Sequence, residues 1–271
     1  MDTSRITRRN FVKLAAAGVT ACAAAPLFAF SKLNIGVGTY SYHNLSIDAM
    51  IVQLNRRHIR EIEMSRGEFM LMSNPKDELF RTTREKLDRA GIRCWSYYAA
   101  TMNNDQDIDR GIRFAKILGC SNITGDAPAP VLRHIDEKLT QAGLTFGLHN
   151  HYFPHIKFAY ESPKEVWNAI SGLSRTMGAT ADTGQFAQCG YNPAAAILAL
   201  APRLRMVHLK DVKAKDDETN VMLGTGIAHI PQVMRELRRI KFTGLVAVEY
   251  EKEGDIDQDM VKQIVYARNL A

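Results

Sequence analysis

The sequence predicts an α/β fold, a (β/α)8 barrel, on three observations. Short apolar runs alternate with longer amphipathic ones, each pair taking about 25–30 residues. Strands that alternate with single helices run parallel, because each crossover returns the chain to the same edge of the sheet. Eight such units occupy ~240 residues, the size of a small barrel. A doubly wound open sheet is the competing arrangement, and a dinucleotide-binding form of it needs GxGxxG at its first turn. That turn reads Gly36-Val37-Gly38-Thr39-Tyr40-Ser41 and lacks the third glycine.

Each element follows from its own residues. The first strand is the apolar run 33–40, and the helix 47–55 repeats apolar residues at three- and four-residue spacing. Strand 59–64 and helix 77–90 come next, and Gly91 stands where a left-handed residue ends a helix. Strand 93–98 alternates Trp95 and Tyr97 against Ser96 and Tyr98. Period two therefore sends Tyr98 to the barrel rim and Trp95 beneath the helices. Helix 108–118 stops at Gly119, strand 122–125 follows, and helix 131–142 stops at Gly143. Strand 145–149 leads to helix 163–170, and strand 178–182 to helix 193–200. Strand 205–209, helix 231–240 and strand 245–249 complete the count. Pro163, Pro193 and Pro231 open their helices, where a missing N–H costs nothing. No linker or composition break divides residues 30–271, so they read as one domain.

The first 29 residues read differently. Thr7-Arg8-Arg9-Asn10-Phe11-Val12-Lys13 precedes a charge-free stretch, Leu14 to Phe30, rich in small residues. A basic start, a modest apolar run and a small-residue exit describe a cleaved export signal, and the paired arginines resemble the twin-arginine type. The twin-arginine translocon is then a transient partner and the bacterial periplasm the destination. A retained N-terminal membrane anchor is the alternative. The segment carries four cations against one anion, half of the formal net charge of +6. The basic balance therefore points to a translocon and gives no ground for nucleic-acid binding. Cys94, Cys120 and Cys189 form no CxxC pair and read as small buried hydrophobes.

In a barrel the strand C-terminal ends face the active site. Those ends carry Tyr40 and His43, Glu63, Tyr98, Asp126, His149 and His151, Asp182, His208 and Lys210, and Glu249. His, Asp, His and Glu on four consecutive strands make a mixed nitrogen–oxygen set suited to one divalent ion: Mn, Mg, Co or Zn. Any one of them alone more often bonds backbone; their convergence is what favours a metal.

These positions also carry a resemblance. Gly147-Leu148-His149-Asn150-His151, Ala181-Asp182-Thr183-Gly184-Gln185, Val207-His208-Leu209-Lys210-Asp211 and Val248-Glu249 resemble sugar phosphate isomerases/epimerases with a xylose-isomerase-like TIM barrel. Arg60–Met64 and Gly224–Pro231 are similar to that family's second strand and the loop before its last helix. The resemblance implies metal ligands Asp182, His208 and Glu249, with His149, or else His151, where relatives commonly hold Glu. Some relatives carry His-Asn-His there followed by acidic residues, whereas Tyr152-Phe153-Pro154-His155 follows here. The implied activity is proton transfer between carbons of a sugar or keto-sugar through an enediolate on the metal. Glu249, Glu63 and His151 would carry protons, and Lys210, Tyr98 and His43 would bind substrate.

The alternatives are a metal-dependent lyase, dehydratase or hydrolase acting on oxidised sugars or glycosides, and a sugar-binding barrel without catalysis. A three-metal apurinic-site endonuclease of the same superfamily is excluded. Gln185 stands where its next ligand would be, and residues 213–223 contain no Asp-x-His. No phosphate-binding loop closes the last two strands, so a small unphosphorylated carbohydrate is the expected substrate. Barrels of this kind often form homodimers, and no distinctive seam marks an interface.

Overall fold

A computed structural model describes residues 32–152 and 160–271. The proposed export segment and the stretch 153–159 lie outside the described residues. Eight parallel strands close into a barrel in chain order: β1 Asn34–Gly38, β2 Glu61–Met64, β3 Arg93–Thr101, β4 Asn122–Asp126, β5 Thr145–His149, β6 Met177–Asp182, β7 Leu204–Leu209 and β8 Leu245–Val248. β1 pairs with both β2 and β8, which completes the circle. Gly36 lets that seam form, since a Cβ there would sit 2.3 Å from the Glu61 carbonyl oxygen.

The helices are α1 Ile47–Arg56, α2 Asp77–Arg89, α3 Asp105–Leu118, α4 Leu132–Ala142, α5 Pro163–Ile170, α6 Thr183–Gln188, α7 Pro193–Leu200, α8 Ile230–Arg239 and α9 Asp257–Leu270. Gly119 and Gly143 end α3 and α4 in the left-handed region, as their positions predict. One feature departs from the one-helix-per-strand pattern. α6 begins directly after β6 with Asp182 as its cap, so β6 and β7 are separated by two helices. α9 follows the last strand and packs against β1 and β8. Among the described residues no helix is long and apolar enough to cross a membrane.

The main core lies between strands and helices. Phe80 of α2 stacks on Phe114 of α3 with ring centroids 4.0 Å apart. Tyr97 meets both rings edge-on and donates its hydroxyl to the Phe69 carbonyl at 2.7 Å. A smaller core fills the lower barrel: Met206, Leu245 and Ala247, with Trp95 packed against them. Trp95 corrects the alternation argument. Cys94 lies opposite Ile62 and Ser96 opposite Glu63, which leaves Trp95 as the extra residue of a bulge. Its side chain enters the lumen with the cluster that lies below His208 and Glu249. Above it the lumen turns polar, with Ser96, Thr124 and Thr180 joined by hydroxyl contacts of 3.0 and 3.2 Å.

Candidate metal centre and active site

The ends of β5 to β8 bring His149, Asp182, His208 and Glu249 together; His149, His208 and Glu249 line a cavity of about 390 Å3, and Asp182 is fully buried behind them. Period two along each strand turns these side chains inward, and successive strands place them side by side. His149 Nε2 lies 2.9 Å from His208 Nδ1. Asp182 Oδ2 stands 3.7 Å from the first nitrogen and 3.8 Å from the second. Glu249 Oε2 is 3.5 Å from His208 Nδ1. Gly38 leaves room for this carboxylate: a Cβ there would stand 3.1 Å from Glu249 Oε1.

His149, Asp182 and His208 could hold a metal ion, since one ligand atom from each falls within 4.8 Å of the others. Asp182 Oδ2 is buried without a hydrogen-bond partner, while Oδ1 accepts from the Gln185 backbone N–H. A buried carboxylate oxygen without a hydrogen bond draws a cation, and Lys210 Nζ stands 3.2 Å from this one. Local charge leaves room for a further cation: Asp182, Glu249 and Glu251 gather around one ammonium, Lys210, whose Nζ lies 3.2, 3.2 and 2.7 Å from them. A divalent cation balances that excess of carboxylates. The imidazole and carboxylate donors fit Zn2+, Co2+ or Mn2+ chemistry.

The buried charges shape one another. Burial and neighbouring His151 push His149 well below the ordinary imidazole pKa, which leaves it neutral and able to ligate. Burial also disfavours charge on His208, yet Glu63 and Glu249 outweigh it and raise its pKa well above the usual value. Burial opposes ionisation of Asp182 too, but Lys210 and the two imidazoles hold it well below the carboxylate range. Glu249 is raised, because burial exceeds the pull of Lys210 and His208. Burial would lower Lys210, and Asp182, Glu249 and Glu251 keep it charged.

Glu63 occupies a different place from the other carboxylates. It is fully buried, accepts from His208 Nε2 at 2.6 Å, and does not line the cavity. Arg66 turns away from it to Glu68 and the Tyr42 carbonyl. His151 stands beside His149, its Nε2 3.0 Å from His149 Nδ1, 3.2 Å from Asp126 Oδ2 and 3.3 Å from the Tyr98 hydroxyl. Burial, reinforced by Asp126, raises the Tyr98 phenol well above its ordinary pKa. His43 stacks on Tyr40 and faces Glu253 at 3.6 Å; it supports Tyr40, which lines the cavity, and does not line it itself.

Several lining residues escaped the sequence reading. Glu251 is one, although its spacing of two from Glu249 signalled a shared side of the chain. Ser65, Met70 and Met72 lie in the connection between β2 and α2, where no period applies, and Gln185 lies on α6, too short to show one. Asp126 was legible as a strand end, and the structure supplies its partner, His151.

The family model of the xylose isomerase-like TIM barrel matches residues 61–269. The chain belongs to this family. No curated protein matches it by sequence. Among solved structures it is similar to the probable 3-DHS dehydratase AsbF from Bacillus anthracis, with a TM-score of 0.69, 12% identity and coverage of 86% of this chain and 97% of that one. An IolI protein bound to a zinc atom gives 0.69 and 14%, covering 88% of this chain and 94% of that one. A D-tagatose 3-epimerase-like protein gives 0.66 and 18%, covering 87% and 98% respectively. At these identities the likeness establishes the fold.

Proposed function

We propose that the chain is a divalent-metal-dependent enzyme that moves a proton at a carbon beside the carbonyl of an uncharged sugar or keto-sugar, isomerising or epimerising it. The observation that carries this reading is the buried His149–Asp182–His208 cluster beside Glu249, which lines the cavity. When bound there, a divalent ion polarises a carbonyl and a neighbouring hydroxyl. Glu249 faces the same space and, with its raised pKa, suits taking up and returning a proton. His151 and Tyr98, which line the cavity beside His149, supply the second proton carrier that epimerisation needs. Lys210, charged and fixed by three carboxylates, orients a substrate oxygen. Glu63 acts through His208 as a positioning residue, locking that ring as carboxylates do behind ligating histidines.

The substrate is neutral in this reading. Lys210 is the one Lys or Arg among the described lining residues, and Asp126, Glu249 and Glu251 share the cavity with it. A phosphate group would meet more negative than positive charge. The reading extends to place: residues 1–29 direct export through the twin-arginine translocon to the periplasm.

A second reading, elimination of a β-substituent, is favoured by the Tyr98 phenol. Held protonated beside His151, it suits donation to a leaving group. One experiment separates the two. Metal-loaded protein is incubated with aldoses, ketoses and their keto derivatives in D2O, and products are followed by NMR. Isomer or epimer carrying solvent deuterium supports proton transfer. Unsaturated product without isomer supports elimination, and transfer without deuterium contradicts both.

A further inference from the structure

The cavity does not end at the candidate metal ligands. A second cavity, of about 330 Å3, adjoins it and is lined by Leu71, Met72, Thr101, Asn103 and Asp107. The two share Met72 and Thr101 as common wall. Each alone is near the small end of ligand sites, which span roughly 300–1,000 Å3. Through those two residues the outer cavity adjoins the metal-site cavity at the end of β3.

The wall between them is built in a definite way. Between β2 and α2 the chain makes two single-turn 3-10 helices, Gly67–Phe69 and Leu71–Ser73. Phe69 and Leu71 are buried, whereas Met70 lines the inner cavity and Met72 is 82% exposed at the junction. The turn is pinned from below by the Tyr97 hydroxyl on the Phe69 carbonyl. It is pinned across by the Ser73 hydroxyl on the Gly67 carbonyl at 2.7 Å. Met72 is thus an exposed apolar side chain on an anchored turn, standing where the two cavities meet. A thioether is polarisable and adapts to irregular apolar surfaces, such as the C–H face of a pyranose. The outer cavity adds a hydroxyl, an amide and a carboxylate, from Thr101, Asn103 and Asp107. Those groups match sugar hydroxyls and leave no cation for an anionic group.

We infer that the outer cavity is a subsite for a second sugar ring, so that the preferred ligand is a disaccharide whose reacting ring sits at the metal and whose other ring lies on Met72. The inference rests on the proposed sugar chemistry for the inner ring and adds a subsite to it. Thr101 pairs with Asp126 in the β3–β4 register, which ties the outer subsite to the wall that carries His151.

Calorimetric titration of the metal-loaded protein tests it, with glucose and galactose beside maltose, cellobiose and lactose. At least one disaccharide is expected to bind tenfold or more tightly than its component monosaccharides. Met72→Ala and Asn103→Ala should each remove most of that advantage, and Asn103→Ala, which lines the outer cavity alone, should leave monosaccharide affinity unchanged. Both side chains are exposed, so the fold is kept, and unchanged thermal unfolding checks this. Equal affinity for one ring and two, or an advantage that survives both substitutions, overturns the subsite. If monosaccharides bind in a metal-dependent way without a disaccharide advantage, only the subsite fails. If no sugar binds to metal-loaded protein, the sugar reading itself fails as well.

Discussion

At the scale of the residue, the buried contact between Glu63 and His208 sets how the candidate ligands work. A metal-ligating imidazole needs its second nitrogen tied down, and Glu63 does this at 2.6 Å from a position out of the cavity. Glu63→Gln keeps the volume and a polar group but removes the charge. It should weaken divalent-metal affinity by about 10–100-fold, measured by competition with a fluorescent chelator, with the folded spectrum retained. Lys210 gives a second case. Lys210→Met leaves Asp182, Glu249 and Glu251 without their ammonium. Metal should then bind more tightly, while turnover in the D2O assay falls. Loss of metal binding in that variant would show that Lys210 organises the ligands. These partnerships were only half legible in the sequence. His149, Asp182, His208 and Glu249 stand at strand ends, where fold and periodicity aim them at one point. Glu63 also stands at a strand end, yet whether it enters the cavity or supports a neighbour depends on a ring 145 positions away.

At the scale of the element, strands were readable and their irregularities were not. Apolar runs locate all eight strands, because every one of them is buried on both faces. A bulge adds one residue without changing composition, so Trp95 looks like an outward residue until its pairing partners are known. Trp95 fills the lower lumen beside Met206 and Leu245. Trp95 is partly buried, so Trp95→Ala should cost about 2 kcal/mol of stability, read from chemical denaturation, with metal affinity in the folded protein preserved. The loop after β7 depends on one side chain. Asp211 accepts from the backbone N–H groups of Val212, Gly224, Gly226 and Ala228, at 2.9–3.0 Å. Gly224-Thr225-Gly226 is thus a turn closed around a buried carboxylate. Asp211→Ala strands those donors and should destabilise the protein by about 3 kcal/mol, with the 211–228 amides losing hydrogen-exchange protection first. The helices α6 and α9 escaped notice for separate reasons. Six residues are too few for a helical period, and α9 carries only a weakly segregated apolar face.

At the scale of the whole molecule, the barrel gathers negative charge at one end of its lumen and apolar bulk at the other. Trp95, Met206, Leu245 and Ala247 close the lower half, and Glu63, Asp182, Glu249 and Glu251 crowd the upper rim. That arrangement is destabilising until a cation enters, so metal binding should stabilise the fold. At a hundredfold excess over the dissociation constant the gain is about 2.7 kcal/mol. For a domain of this size it corresponds to a rise in Tm of about 5–10 °C, reversed by EDTA. The architecture was legible because alternation and length leave few folds to choose from. The substrate was not, because the cavity walls come from loops such as Met70–Asn74. The central claim is a single metal centre on His149, Asp182, His208 and Glu249. Metal content per chain, measured by inductively coupled plasma mass spectrometry on wild type and on Asp182→Ala purified without chelator and dialysed against Mn2+, tests it most directly. One divalent ion per wild-type chain and almost none in the variant is the predicted result. Metal-free wild-type protein, or equal content in both, would contradict it.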